Sequence, residues 1–521
     1  MDKKILVICQ SHHQLEKGLY IQKVIPSTVD VVFINQKLNL SSKVLLENVN
    51  SYKSFEPLSS KIDEYDKFIF FSMVPSQQLF ALIQNIRRAK KIIIAIQETH
   101  QLSMHLGVVN NLIFSVDIIF AASDLEKKTL DQLQPNAKIY SIGWLFQNGY
   151  KEFISALYQP SNLKEITKHA LIIFSAPTNI TASSKESFRV RKNILHFLNK
   201  KYQNLKLIIK LHPLENKSLF KEYARINCIE NISFAEENQN LFSLSKNASV
   251  IVTSNETQAF IDLIEDDREF ILYELGKENF ISQYFRSCLD LTEINGVKFY
   301  SLLKHSNNIA GFKDLYCKSD GEAINYFLEI IQQQTKAGIH NDKMEIAAWN
   351  YVYGLSSDFK KIINCESSAL ASNLKKIFDS QETFDLRKLD KALNSLPKRT
   401  AITLILLKLF VDNDKIQTSL LKDFTELMFN PHIIQYFAID SIRFEFYLRN
   451  KGLAQCIPFE SNSLLDVTKA SFSKKSIIMN TLFIIEKSVK DLRSGPIRRF
   501  AYYLIDRTIS SIKTLTNELD M

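Results

Sequence analysis

KKILVIC at residues 3–9, VDVVFIN at 29–35 and DKFIFFS at 66–72 open a series that continues with KKIIIAI (90–96), VDIIFAA (116–122) and AKIYSIG (137–143). Each run is short, β-branched or aromatic, and apolar nearly throughout, which is how a strand buried on both faces reads. Between them lie stretches with helical spacing, such as Gln77 to Arg88 and Asp124 to Gln134. Such alternation predicts a parallel sheet covered by helices on both faces, one doubly wound α/β domain.

The pattern restarts after the helical stretch Lys151 to Leu157 and the punctuation Pro160-Ser161-Asn162. New strands are expected at HALIIFS (169–175), LKLIIKL (205–211), ISF (232–234), ASVIVTS (248–254) and EFILYEL (269–275). Helices are expected at Ser187 to Lys200, Lys217 to Ala224, Thr257 to Glu265 and Gly321 to Gln334. Beyond about residue 340 the alternation stops and helical spacing takes over, as in Leu370, Leu374, Ile377 and Phe378. Ile402 to Phe410, Tyr436 to Leu448 and Lys475 to Lys490 also read as helices. The expected organisation is a Rossmann-like domain over 1–160, a second over 161–338 and a helical extension over 339–521.

Composition agrees with a folded chain. Apolar residues make up 45% and charged residues 23% of 521, with only 12 Gly and 11 Pro, so a disordered or collagen-like chain is excluded. The net charge of +9 is modest for a dedicated nucleic-acid binder, and no nucleic-acid partner is expected. It suits acidic small molecules or an anionic surface. Six cysteines, at 9, 228, 288, 317, 365 and 456, include no CxxC pair and read as reduced thiols. The first residues do not read as a signal peptide, and Ala401 to Val411, the longest apolar stretch, is too short to span a bilayer. A cytoplasmic location is the expectation.

In doubly wound sheets, ligands bind beyond the carboxyl ends of the strands. After the first strand come Ser11, His12, His13 and Gln14, with Gly18 in the following helix and no GxGxxG fingerprint. The two imidazoles read either as a base or substrate contact or as surface side chains. After the fourth predicted strand come Gln97, Glu98, Thr99 and His100, with His105 further on. Glu98 could take a proton from an acceptor hydroxyl, Thr99 could simply cap a helix, and no zinc spacing is present.

The second sheet opens on Phe174-Ser175-Ala176-Pro177-Thr178-Asn179, a small hydroxylated turn whose backbone could approach phosphate. Lys210-Leu211-His212-Pro213 follows the next strand, and its proline forces the chain out of the sheet. Thr253, Ser254, Asn255, Glu256 and Thr257 lie between a strand and a helix, where Ser254 or Asn255 could cap the helix and bind an anion.

The KLHP motif at 210–213, the TSNET motif at 253–257 and the opening ALIIFSAPTN resemble bacterial sialyltransferases and related capsule and lipopolysaccharide transferases of the two-Rossmann GT-B architecture. The resemblance spans roughly residues 1–335 at the level of motifs. It implies a CMP-activated acidic sugar, sialic-acid-like or Kdo, as co-substrate, a surface polysaccharide, glycan or lipid-linked acceptor, and no metal or other cofactor. It implies that His212 contacts the donor phosphate and that Ser254 and Thr257 hold it. Lys210, Pro213, Asn255, Ser175, Thr178 and Asn179 complete the nucleotide side. The base is implied at the first domain's strand ends, at Glu98, with His12, His13 and His100 as alternates. The sequence departs from the family pattern in lacking a glycine after Glu98 and in carrying Glu256 where a second serine is usual. CDP-glycerol or UDP-sugar transfer, nucleotide-sugar epimerisation and a non-catalytic binding protein of the same fold are the competing expectations.

Asp412-Asn413-Asp414 matches the DxD metal motif of the other glycosyltransferase architecture, but it follows a helical run late in the chain and reads as a solvated turn. The segment Ser494 to Lys513 mixes Arg498, Arg499, Arg507 and Lys513 with Phe500, Tyr502 and Tyr503. It reads either as a helix lying on the inner face of the plasma membrane or as a helix packed on the helical region with a solvated basic rim.

Overall fold

The computed structural model describes residues 4–25, 28–34, 49–71, 77–97, 114–134, 136–146, 148–158, 168–174, 184–211, 217–227, 229–235, 239–255, 257–264, 269–274, 291–294, 296–302, 311–312, 322–333, 343–352, 359–365, 367–379, 398, 401–402 and 404–405. Seven strands build a first sheet: β1 (Ile5–Cys9), β2 (Val29–Ile34), β3 (Asn50–Tyr52), β4 (Lys67–Phe70), β5 (Ile92–Ile96), β6 (Ile118–Ala121) and β7 (Lys138–Ser141). Its helices are α1 (His12–Val24), the single turn α2 (Glu56–Ser59), α3 (Gln77–Arg88), α4 (Asp124–Leu133) and α5 (Asn148–Leu157). The strands lie in the order β3-β2-β1-β4-β5-β6-β7 and every pair is parallel. The order reverses direction between β1 and β4, which makes that gap the topological switch point.

A second seven-stranded sheet repeats the plan with β8 (His169–Ile173), β9 (Lys206–Lys210), β10 (Ile232–Phe234), β11 (Ala248–Ser254), β12 (Glu269–Tyr273), β13 (Leu291–Ile294) and β14 (Val297–Leu302). Its order is β10-β9-β8-β11-β12-β14-β13, with the switch between β8 and β11. Here α6 (Ser184–Lys201), α7 (Lys217–Ile226), α8 (Leu241–Ser245), α9 (Gln258–Leu263) and α10 (Ala323–Gln333) are the helices. The chain is therefore α/β with two Rossmann-like sheets, as the alternation predicts. It departs from an all-parallel plan at one edge, where β14 runs antiparallel to both β12 and β13. Gly296, at φ +71°, begins the return into β14, a backbone conformation that favours glycine.

Alternation along β1 explains the layering. Leu6 and Ile8 enter one cluster with Phe68, Phe70 and the α3 side chains Leu79, Leu82 and Ile83. Ile5, Val7 and Cys9 enter the opposite cluster, which is continuous with Leu171, Ile251 and Phe270 of the second sheet. One core thus joins the two sheets. Helix α10 crosses back to the first sheet, where Phe327 meets Phe120 at 4.9 Å and the Lys67 ammonium donates to the Ile331 carbonyl. That places a cation at the negative end of the α10 dipole.

Among the described residues the chain goes on through α11 (Lys343–Val352), α12 (Phe359–Cys365) and α13 (Ala369–Asp379). Their apolar face enters the first sheet's cluster through Met344, Trp349, Phe359, Leu370 and Leu374. Trp349 stacks on Phe80 at 4.6 Å, and the buried Glu345 carboxylate accepts from the Ser115 amide at 3.0 Å and from its hydroxyl. Among the described residues no helix is long and apolar enough to cross a membrane. The expected helices at 436–448 and 475–490, the Asp412-Asn413-Asp414 turn and the basic segment 494–513 lie outside the described residues.

Candidate functional site

The first switch point is built by β1 and the start of α1. Ser11 leaves the strand in extended conformation and its hydroxyl accepts from the Gln14 amide at 3.2 Å, capping α1. Gln14 in turn accepts from the Gln10 amide at 2.7 Å. The cap puts His12 and His13 at the first two helical positions and Glu16 one turn on, on the same face.

Glu16 bridges both imidazoles. Its Oε1 lies 3.3 Å from His12 Nε2, and its Oε2 lies 3.4 Å from His13 Nδ1. Tyr158, the first residue beyond α5, donates its hydroxyl to Glu16 Oε1 at 2.5 Å and stands 2.5 Å from His12 Nε2. Burial works against charge on Glu16, yet the hydrogen bonds and charge of the two histidines win and hold its carboxyl well below the usual carboxylate range. Burial, with the Glu16 carboxylate behind it, pushes the Tyr158 phenol well above its usual range. The side chains of His13, His12 and Glu16 are 78%, 23% and 10% exposed, so His13 is the outward member. Spacing alone marks Glu16, since His-His-x-x-Glu on a helix puts the carboxylate within reach of both rings. No local signal marks Tyr158, which arrives from 142 residues away.

In the second sheet the ends of β9, β8, β11 and β12 stand side by side, through the pairings Lys210 with Ile173, Val252 with Ile172 and Ser254 with Tyr273. Lys210 ends β9 and donates to the Gln239 carbonyl at 2.6 Å, which uses one of its three N–H groups. Ser254 and Asn255 are fully buried at the end of β11, where the Asn255 amide donates to the Tyr273 carbonyl at 3.0 Å. The α9 cap is neither of these residues. Thr257 takes it, accepting from the Ala259 amide at 3.3 Å. The hydroxyl of Thr253, at the end of β11, is fully buried and has no hydrogen-bond partner among the described residues. Glu274, just beyond β12, pairs with Lys298 at 3.2 Å and accepts from the Tyr300 hydroxyl at 2.8 Å, an arrangement that sequence reasoning missed. Glu98, His100, Ser175, Thr178, Asn179, His212 and Pro213 lie outside the described residues.

No family model and no curated protein matches the chain. Solved structures similar to it include the UDP-GlcNAc 2-epimerase of Methanocaldococcus jannaschii, with 13% identity, 64% of this chain and 100% of that chain covered and a TM-score of 0.41. The wall teichoic acid polymerase TagF gives 14%, 64%, 88% and 0.38 on the same measures. MurG of Acinetobacter baumannii gives 8%, 64%, 100% and 0.32. The fold assignment rests on the strand order of this chain itself.

Proposed function

We propose that the chain is a glycosyltransferase of GT-B architecture. It moves an acidic sugar, sialic-acid-like or Kdo, from a CMP donor to a surface glycan or lipid-linked acceptor. The observation that carries the reading is the repeated switch point: two sheets that share the order of their first five strands, each with polar side chains at the carboxyl end of its central strands. The KLHP and TSNET motifs supply the donor chemistry. In this reading His212 and Lys210 neutralise the leaving phosphate, with Pro213 fixing the turn, and metal is not needed. Ser254, Asn255 and Thr257 bind the nucleotide beside the Ser175-Thr178-Asn179 turn. The base stands at the strand ends of the first sheet, among Glu98, His12, His13 and His100. The enzyme works in the cytoplasm, and the basic segment near 494–513 brings it to the inner face of the plasma membrane where lipid-linked acceptors sit.

The test is His212→Ala. If His212 stabilises leaving-group charge, nucleotide release falls by about 10²-fold or more. An unchanged rate refutes the donor-site assignment.

A further inference from the structure

Of the base candidates of the first sheet, His12 and His13 lie among the described residues, and their geometry separates the two. An ionised carboxylate only accepts hydrogen bonds, so the contact between Glu16 Oε2 and His13 Nδ1 requires the proton on Nδ1. The neutral ring then carries its lone pair on Nε2, on a side chain that is 78% exposed at the end of β1. His12 is held the other way round. Its Nε2 faces Tyr158 and Glu16, and its side chain is only 23% exposed. Glu16 Oε1 takes the Tyr158 hydroxyl, so the carboxylate is gripped on one oxygen and grips His13 with the other.

We propose that His13 takes the proton of the acceptor hydroxyl, that Glu16 is its positioning residue, and that Tyr158 fixes Glu16 from the segment leading to the second sheet. The proposal rests on the transferase reading above and names the base within it. The acceptor O–H proton passes to His13 Nε2 as the acceptor oxygen forms a bond to the anomeric carbon of the nucleotide-activated sugar. The bond from that carbon to the phosphate oxygen breaks, and the nucleotide leaves with the electron pair. The resulting imidazolium keeps its Nδ1–H against Glu16, which compensates the charge, and returns the extra proton to solvent after product leaves. Among the described residues, the titratable groups facing His13 are His12 and Glu16 on its own helix, with Tyr158 behind them on the segment after α5.

The experiment compares His13→Ala, Glu16→Gln, Tyr158→Phe and Glu98→Gln in the full chain, using nucleotide release from activated donors over a pH series. A positioned base contributes about 10²- to 10⁴-fold, so His13→Ala should lower kcat by at least about 10²-fold and leave donor KM within a few fold. Glu16→Gln should lower kcat and also move the acid limb of the profile to lower pH, because the imidazolium loses its anion. A merely structural role for Glu16 would not move that limb. Tyr158→Phe should lower kcat by a smaller factor, and Glu98→Gln should lower it less than His13→Ala does. Release that His13→Ala leaves intact, or that Glu98→Gln alone abolishes, overturns the assignment while sparing the transferase reading. No release from any donor by the wild-type protein overturns the transferase reading, and the base with it.

Discussion

Helix α1 carries the imidazole pair, and Gly18 sets how closely that helix lies on the sheet. A Cβ built on Gly18 would come within 2.9 Å of Cys9 Sγ, 3.2 Å of Val31 Cγ1 and 3.3 Å of Val7 Cγ1. All three neighbours are buried side chains of β1 and β2, so none is a loose end that can swing away. Alanine is favoured over glycine in a helix interior by about 0.8–1.0 kcal/mol. Overpacking a core costs about 1–3 kcal/mol, and simultaneous contacts from two strands put this site in the upper half of that range. Gly18→Ala should therefore destabilise the first domain by about 1 kcal/mol or more, against its helix propensity. Cys9→Ala removes the nearest obstruction, along with the thiol's hydrogen bond to the Gln14 carbonyl. In that background the Gly18→Ala cost should shrink by about 1–2 kcal/mol, a favourable coupling between touching residues. Urea denaturation followed by tryptophan fluorescence is the assay. The chain has 2 tryptophans: Trp349 lies buried in the first sheet's cluster and Trp144 in the cluster where α1 packs and the two sheets meet, so the signal follows the core that α1 belongs to. Stabilisation by Gly18→Ala alone, or strict additivity with Cys9→Ala, would show that propensity governs the site and would refute the close-approach argument.

Truncating Trp349 to alanine should cost about 3–5 kcal/mol, because a fully buried indole stacked on Phe80 leaves a cavity in the first sheet's cluster. The same urea curves check it, and a loss below about 1 kcal/mol would mean that α11 is not part of that core. Acid stability should respond to Glu16. Its folded carboxyl lies below the usual range, so its contribution is present above about pH 4.3 and is lost as pH falls further; Glu16→Gln should flatten that part of a stability–pH curve. Tyr158 acts at the other end. Its raised phenol contributes a loss of stability as pH climbs past about 10, which Tyr158→Phe should abolish.

The sheets are legible in the sequence because their inner strands are apolar on both faces. KKILVIC, KKIIIAI and ASVIVTS need no alignment to be read as strands, and Gln77 to Arg88 is found with the bounds its spacing predicts. The edges are harder. Residues Asn50–Tyr52 form β3 through backbone pairing alone, with no apolar run to announce it. The β13–β14 hairpin has a readable signal in Asn295-Gly296, but Leu291–Ile294 and Val297–Leu302 are broken by Thr292, Glu293, Lys298 and Ser301 and present no continuous apolar run. Periodicity also shows that Leu370 and Leu374 face something apolar without saying what; that the partner is the first sheet is a tertiary fact. The candidate site divides in the same way. His12, His13, Ser254 and Asn255 are legible because they follow predicted strands directly, whereas Tyr158 enters only when the chain returns from α5 to the start of α1.

The most direct test of the central claim is nucleotide release by the full-length protein with a panel of CMP-, CDP- and UDP-activated donors, each with and without a glycan acceptor. The account predicts release of CMP from a donor carrying an acidic sugar, accelerated by acceptor and lost in His212→Ala. Acceptor-independent turnover of a UDP donor, or no release from any donor, would contradict it.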